Sequence, residues 1–241
     1  MRIAIISDIH GNREALDTVL EEIDRLSCEK IFCLGDVVGY GPDPCYCVDV
    51  VAERCEVILA GNHEYAVLGK INIDYFNPHA RQATLWTRDH LGEQQLEAIS
   101  QYPLTHVWEE CTFVHGTLDS PDLFDYIQNS FDAHLSLECL KNRVCFIGHS
   151  HVPITFLQSD DTIAFNDDPV VSLKPAFKSI VNVGSVGQPR DGNPKASFVT
   201  FDTESEEMSL HRIAYDLAAT QKKILEAGLP EFLADRLAVG R

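Results

Sequence analysis

Positive charge is scarce in this chain of 241 residues: 19 lysines and arginines stand against 37 aspartates and glutamates, a formal net charge of −18. Much of the acid lies in stretches such as SDDT (159–162), NDD (166–168) and DTESEE (202–207). So acidic a surface repels a nucleic-acid backbone and anionic lipid, and neither double-stranded nucleic acid nor a membrane is an expected partner. A phosphate substrate is not excluded, because bound cations reverse the local sign. Long apolar runs are also missing: none approaches the roughly 18 residues that span a bilayer. Between Arg2 and Ser7-Asp8 stand only four apolar residues, and no small-residue cleavage site follows. No secretory leader is expected on that ground, and the chain reads as cytoplasmic. The eight cysteines lack a pairing pattern. Cys45 and Cys47 form CxC rather than CxxC, with no second pair at zinc spacing. Without an oxidising compartment, free thiols are expected. Cys33, Cys111 and Cys145 sit in apolar runs where they act as small hydrophobes. Linkers, low-complexity tracts and internal repeats are absent too, which favours one domain over 1–241. Nothing in the sequence points to an oligomeric state.

What is present is a regular alternation. Residues 2–7 read as a buried strand, and 13–26 follow with Leu16, Val19, Leu20 and Ile23 at helical spacing. Residues 30–34 and 56–60 read as strands and 46–54 as a helix. That order implies a parallel sheet with right-handed crossovers. Residues 77–102 read as helical with a break at Gly92. The second half is strand-rich, with runs at 111–115, 143–147, 153–158, 179–183, 196–202 and 207–213 and a helix at 131–141. Residues 216–238 read as helical, broken at Gly228-Leu229-Pro230. The fold expected is an α/β arrangement of two packed sheets with helices outside.

Five apolar strands end the same way, in Asp, His or Asn beside a glycine. DIHGN supplies Asp8 and His10, LGD supplies Asp36, and LAGNHE supplies Asn62 and His63. FVHG supplies His115, and FIGHSH supplies His149 and His151. Ligand sites in open α/β sheets form beyond the carboxyl ends of strands, and glycine lets backbone turn tightly there. Asp8, His10, Asp36, Asn62, His115, His149 and His151 make seven donors, too many for one tetrahedral zinc. They suit two metals sharing a bridging carboxylate. Nitrogen and oxygen donors without thiolate favour manganese, iron, zinc or cobalt. Two ions ~3.5–4 Å apart form the clamp used for in-line displacement at phosphorus. His79, His90, His106, His134 and His211 follow no such pattern and are expected outside the site.

These motifs resemble those of the calcineurin-like metallophosphoesterases, whose signature runs DxH, GD, GNH, a lone His after a strand, and GHxH. All are present in order: DIH (8–10), GD (35–36), GNHE (61–64), VHG (114–116) and GHSH (148–151). GDVVGYGPDP (35–44) and VNVGSVGQPRDGNP (181–194) look like the small stand-alone bacterial and archaeal phosphoesterases. The resemblance covers residues 1–202 and implies a four-layer α/β sandwich, two mixed sheets flanked by helices. It implies two transition-metal ions, with manganese, iron or zinc as candidates and manganese favoured in vitro. One ion would take Asp8, His10 and His151, the other Asn62, His115 and His149, with Asp36 bridging. Asp8 and His10, at i and i+2, would grip one ion from the same side of an extended segment. A water between the two dications would lose its proton near neutral pH and attack phosphorus. His63 would face the leaving group, as general acid or cationic stabiliser, or else orient a neighbouring ligand. Glu64 would hydrogen-bond nearby.

Substrate contacts are sought in the loops. Arg190 is a candidate phosphate clamp, with an ion pair to Asp191 as the alternative. Tyr40 is set either to stack on a base or aryl group or to pack in its loop. Asn77, Arg81 and Trp86 share a helix that would lie over the site, or pack in the core in the case of Trp86. The substrate expected is a small phosphodiester or nucleotide-like phosphate. A protein phosphatase, as GNHE also allows, or a dinucleoside polyphosphate hydrolase is the alternative. A non-catalytic scaffold, such as the retromer subunit of this fold, would lack the GNH histidine that stands here as His63.

Overall fold

The computed structural model describes residues 1–160, 162–174 and 176–241. Asp161, in the acidic SDDT stretch, lies outside them. The first half runs β1 (Arg2–Ile6), α1 (Arg13–Arg25), β2 (Lys30–Cys33), α2 (Pro44–Arg54), β3 (Val57–Ile58) and α3 (Asn62–Val67). After a 3-10 turn at Ile73–Tyr75 come α4 (Pro78–His90) and α5 (Glu93–Ser100). There follow β4 (Thr105–Trp108), β5 (Cys111–Val114), α6 (Ser130–Cys139), β6 (Val144–Ile147), β7 (Ile154–Ser159), β8 (Thr162–Asn166) and β9 (Val170–Ser172). The chain closes with β10 (Lys178–Asn182), β11 (Ala196–Asp202), β12 (Glu207–Ile213), α7 (Leu217–Glu226) and α8 (Glu231–Val239).

Two mixed six-stranded sheets result, ordered β3-β2-β1-β11-β12-β9 and β4-β5-β6-β10-β7-β8. Strands β1, β2 and β3 are parallel in the first, and β5, β6 and β10 in the second. Side-chain alternation explains the layering. Ile3 and Ile5 enter the core between the sheets, where Phe113, Phe146 and Val181 meet them. Ala4 and Ile6 face the other way, onto Leu16, Val19, Leu20 and Ile23 of α1 and Val48 and Val51 of α2. In β6, Val144 and Phe146 face inward, while Cys145 and Ile147 pack with Ala133 and Leu137 of α6. Strands covered on both faces read as unbroken apolar runs, which is why β1, β5 and β6 stand out in the sequence. The four-layer α/β sandwich is therefore present. Cys33, Cys111 and Cys145 are buried in it, and all eight cysteines are unpaired.

Three strands carry no sequence signal. β4, β8 and β9 lie at sheet edges and leave at least half of their residues exposed. β3 is shorter than the expected 56–60, because the chain leaves the sheet at Leu59 and turns into α3 at Asn62. A fourth apolar cluster joins Tyr40 to Ala80 and Ala83 of α4 and to Ile224, Leu233 and Leu237 of the closing helices. Among the described residues no helix is long and apolar enough to cross a membrane.

Candidate metal centre

The parallel strands all end at one edge of the sandwich, and the turns beyond them bring six of the seven expected donors into two adjoining groups, while Asn62 lines a cleft beside His149. Asp8 follows β1, Asp36 follows β2, Asn62 follows β3, His115 follows β5, and His149 and His151 follow β6. Asp8, His10, Asp36 and His151 form one group of buried donors. Asp36, His115 and His149 form a second, so Asp36 is common to both. His10 Nε2 lies 3.8 Å from both Asp8 Oδ1 and Asp36 Oδ2, and His115 Nε2 lies 3.3 Å from Asp36 Oδ2.

Asp8 and His10 converge by a different route from the one their spacing implied. Both sit at positive φ, 55° and 51°, so the segment is not extended. Their side chains meet because the backbone turns at each of them. The turn is held by Asp8 N donating to the Gly35 carbonyl (3.0 Å) and His10 N donating to the Asp36 carbonyl (2.9 Å).

Hydrogen bonding aims the imidazoles. The Nδ1 atoms of His10, His115 and His151 lie 3.0, 2.9 and 2.6 Å from the carbonyl oxygens of Val38, Leu34 and Gln188. A carbonyl only accepts, so each Nδ1 carries a proton, and the rings of His10 and His151, when neutral, present an Nε2 lone pair to the centre. His10 Nε2 and His151 Nε2 then face each other at 3.1 Å with no proton between them. Asp8 Oδ1, Asn62 Oδ1 and His149 Nε2 are buried without a hydrogen-bond partner. Burying such acceptors is costly unless a donor or cation satisfies them. The donor set therefore fits metal ions.

The charge states agree with that fit, since metal ligands must be deprotonated. Burial pushes His10, His149 and His151 below the ordinary histidine value, His149 to about 3. Burial works against ionising Asp8 and Asp36, but His151 beside Asp8 and His115 beside Asp36 hold both below the usual carboxylate range. His115 is the exception. Burial lowers it, but the Asp36 charge overrides this and raises it to about 9.

Two neighbours of Asn62 have separate jobs. His63 is buried, with its ring 4.8 Å from His10 and 4.5 Å from Tyr40, and its Nδ1 has no partner. Burial pushes it down to about 4. Glu64 accepts from four backbone amides: Asp36 N (2.9 Å) and Gly61 N (2.8 Å) on Oε2, Val37 N (2.8 Å) and Val38 N (3.2 Å) on Oε1. One carboxylate thus ties the loop carrying Asp36 to the start of α3. Burial and the nearby Asp36 charge raise it to about 7.

Of the two placements open to Tyr40, the structure has the packed one. The residue is only 8% exposed, with its ring 4.7 Å from His10 and against the closing helices. Arg190 lies with its guanidinium carbon 5.7 Å from the Tyr40 ring centre and donates to Gln188 Oε1 (2.9 Å), while its buried Nε has no partner. Asp191 pairs with Arg212 at 2.5 Å, not with Arg190. Asn77, Arg81 and Trp86 do not form a lid. Asn77 caps α4 by accepting from Ala80 N, Arg81 pairs with Asp74, and Trp86 donates to the Ala227 carbonyl. His79, His90, His106, His134 and His211 all lie outside the two donor groups.

A cleft of about 430 Å³ opens beside the second donor group. Asn62 and His149 lie in its lining, with Tyr75, Phe76, Leu123, Phe124 and Tyr126 around them. None of these apolar residues belongs to a motif. They come from a 3-10 turn and a loop whose composition marks no function.

Comparison with known proteins agrees with the geometry. The sequence model of the calcineurin-like phosphoesterase superfamily domain matches residues 1–206. The uncharacterized protein MJ0912 of Methanocaldococcus jannaschii is 38% identical, over 99% of this chain and 98% of its own. Phosphodiesterase YfcE of Escherichia coli K12 is 25% identical, over 85% of this chain and 89% of its own. Among solved structures, a metallophosphoesterase from Sphaerobacter thermophilus superposes with a TM-score of 0.89. It is 40% identical and covers 100% of this chain and 99% of its own.

Proposed function

The chain belongs to the calcineurin-like phosphoesterase superfamily, and from that premise we propose that it is a two-metal enzyme hydrolysing small phosphodiesters or nucleotide-like phosphates. The observation that carries this reading is the pair of buried donor groups sharing Asp36. Asp8, His10 and His151 would hold one ion and Asn62, His115 and His149 the other, with Asp36 shared between them. Nitrogen and oxygen donors without sulfur suit manganese, iron or zinc. Bound there, such ions supply Lewis acidity to the phosphoryl group and to water.

The protein's own groups do the rest. Asp36 and Asp8 keep their negative charge at neutral pH and fix the spacing of the two donor sets. Arg190, whose guanidinium donates to Gln188 Oε1 and has no carboxylate partner among the described residues, clamps a phosphate oxygen. His63 faces the leaving-group oxygen. Burial keeps it a neutral hydrogen-bond donor in the resting enzyme, and an arriving phosphate anion works against that burial. Tyr40 backs the rings of His10 and His63 and keeps water from behind them.

Hydrolysis of p-nitrophenyl phosphate and bis(p-nitrophenyl) phosphate is to be measured side by side, on chelator-stripped protein and after manganese reloading. The expected result is manganese-dependent turnover, faster on the bis-ester. Faster monoester turnover would make the protein a phosphatase, and no turnover of either by manganese-loaded protein would overturn the reading. Asp36→Asn is expected to lower the content of both ions. A variant that kept two ions and full rate would refute the bridging role.

A further inference from the structure

Beside the donors lies the cleft of about 430 Å³, a size typical of small-molecule sites. Its floor is continuous with the centre, since Asn62 and His149 both line it and both carry an unpartnered buried atom. Its walls come from two separate segments. One is the turn Ile73–Tyr75 with Phe76, tied to α4 by the Asp74–Arg81 pair at 3.6 Å. The other is the loop holding Phe124 and Tyr126.

Phe124 is buried and Phe76 packs on the fourth apolar cluster, but packing does not account for the two tyrosines. Tyr75 is 90% exposed and Tyr126 48% exposed. Tyr126 already lies flat on the His149 ring, with centroids 4.0 Å apart and planes within 12°. Phe76 and Phe124 reach His63 and His115 at 5.8 and 6.0 Å. Aromatic surface thus continues from the donor histidines out to solvent. No lysine or arginine lines the cleft, and Asp122 stands in its wall. A further phosphate would meet no counter-charge there, whereas an uncharged planar group would meet ring faces.

We propose that this cleft holds the base of a nucleotide phosphoester, placed between Tyr75 and Tyr126 while its phosphate lies at the donor groups. The proposal rests on the phosphoesterase reading and narrows it to substrates bearing an aromatic base. Stacking on aromatic side chains is sequence-tolerant and contributes on the order of tenfold or more in affinity per base. Asp122 offers acceptor oxygens to the amino edge of a base.

The test is calorimetric binding to manganese-loaded protein of adenosine 5′-monophosphate and ribose 5-phosphate, which share sugar and phosphate and differ by the base. The nucleotide is expected to bind at least about tenfold more tightly. That ratio is expected to fall near unity in the Tyr75→Ala/Tyr126→Ala double variant and to persist in Tyr126→Phe, which keeps the ring. Tyr75→Ala alone, at an exposed position, should reduce the ratio severalfold whatever the double variant does to folding. Equal affinities in the wild-type protein, no nucleotide binding, or an unchanged ratio in the folded variants would each overturn the proposal. Hydrolysis of bis(p-nitrophenyl) phosphate by the same loaded protein is read separately. If neither it nor p-nitrophenyl phosphate is turned over, the phosphoesterase reading is overturned, whereas turnover of either with no base preference overturns only the cleft.

Discussion

Asp8, His10, Asp36, His149 and His151 all have φ between 51° and 66°. Left-handed backbone costs a non-glycine residue about 1–2 kcal/mol, and Asp and His bear it better than branched residues do. Five of the seven candidate donors therefore sit in disfavoured conformations, and bonds around them must hold those conformations in place. Glu64 is the chief example. Replacing it with Gln would turn an amide NH₂ toward two of the four backbone amides it now satisfies. Each unsatisfied buried donor costs about 1–3 kcal/mol, so Glu64→Gln is expected to lose about 2–6 kcal/mol in urea unfolding and to weaken metal loading. Unchanged stability would show that the loop does not depend on this carboxylate. At His63 the expectation is opposite in kind. His63→Ala should lower kcat by about 10²–10⁴-fold, the usual range for a lost proton-transfer group, while metal content by elemental analysis stays near that of the wild type. Loss of the ions together with the rate would instead make His63 a residue that holds the ligands.

Each donor depends on the turn after its strand, and the turns depend on one another. His149 N donates to Asp8 Oδ2 at 3.0 Å, and His63 N donates to Asp36 Oδ1 at 2.9 Å. Asn12 caps α1 through Ala15 N, donates to the Gly187 carbonyl at 2.8 Å and accepts from Thr220 of α7. The glycine of GHSH is required by close approach. A Cβ at Gly148 would press on Ser7 Oγ and on Asp8 Oδ2. Gly148→Ala must therefore push the β6 turn away from the β1 turn. It is expected to lose at least one metal ion per chain and about 1–3 kcal/mol of stability, the usual cost of overpacking. A folded alanine variant with full metal content would show that the two turns move independently.

At the scale of the molecule, the two sheets act as a frame. The core between them, built on Phe32, Phe113 and Phe146 with rings stacked at 4.4 and 5.6 Å, sets the ends of β1 and β2 against the ends of β5 and β6. The donors then converge from both sheets on one buried point. Negative carboxylates and unshared nitrogen lone pairs crowd together there, and binding a cation relieves that crowding. A ligand present at a thousand times its Kd stabilises the folded state by about 4 kcal/mol. For a chain of this size that is roughly a 10 °C change in Tm. Chelator-stripped protein is accordingly expected to melt roughly 10 °C below manganese-loaded protein in scanning calorimetry, with recovery on adding manganese. Identical melting curves would mean that the cluster is stable without ions, and the lone-pair geometry would need another explanation.

The sequence by itself determined the central strands, the sandwich and the six Asp and His side chains that gather in the two buried groups. Strands covered on both faces have to be continuously apolar, and a polar residue beside glycine at their ends then has few roles other than ligand binding. It left the edge strands β4, β8 and β9 unmarked, because half-exposed strands need no apolar run. Only the tertiary structure decided how the donors face one another. Asp8 and His10 meet through two left-handed residues rather than along an extended strand, and a spacing of i and i+2 cannot distinguish the two. The fates of Tyr40, Asn77, Arg81 and Trp86 were also tertiary, since α4 and the closing helices offered partners that no local pattern announces. The aromatic cleft belongs to the same class. Tyr75 and Tyr126 are 51 residues apart in sequence, and they line one cleft only because the sheets bring their loops together beside His149.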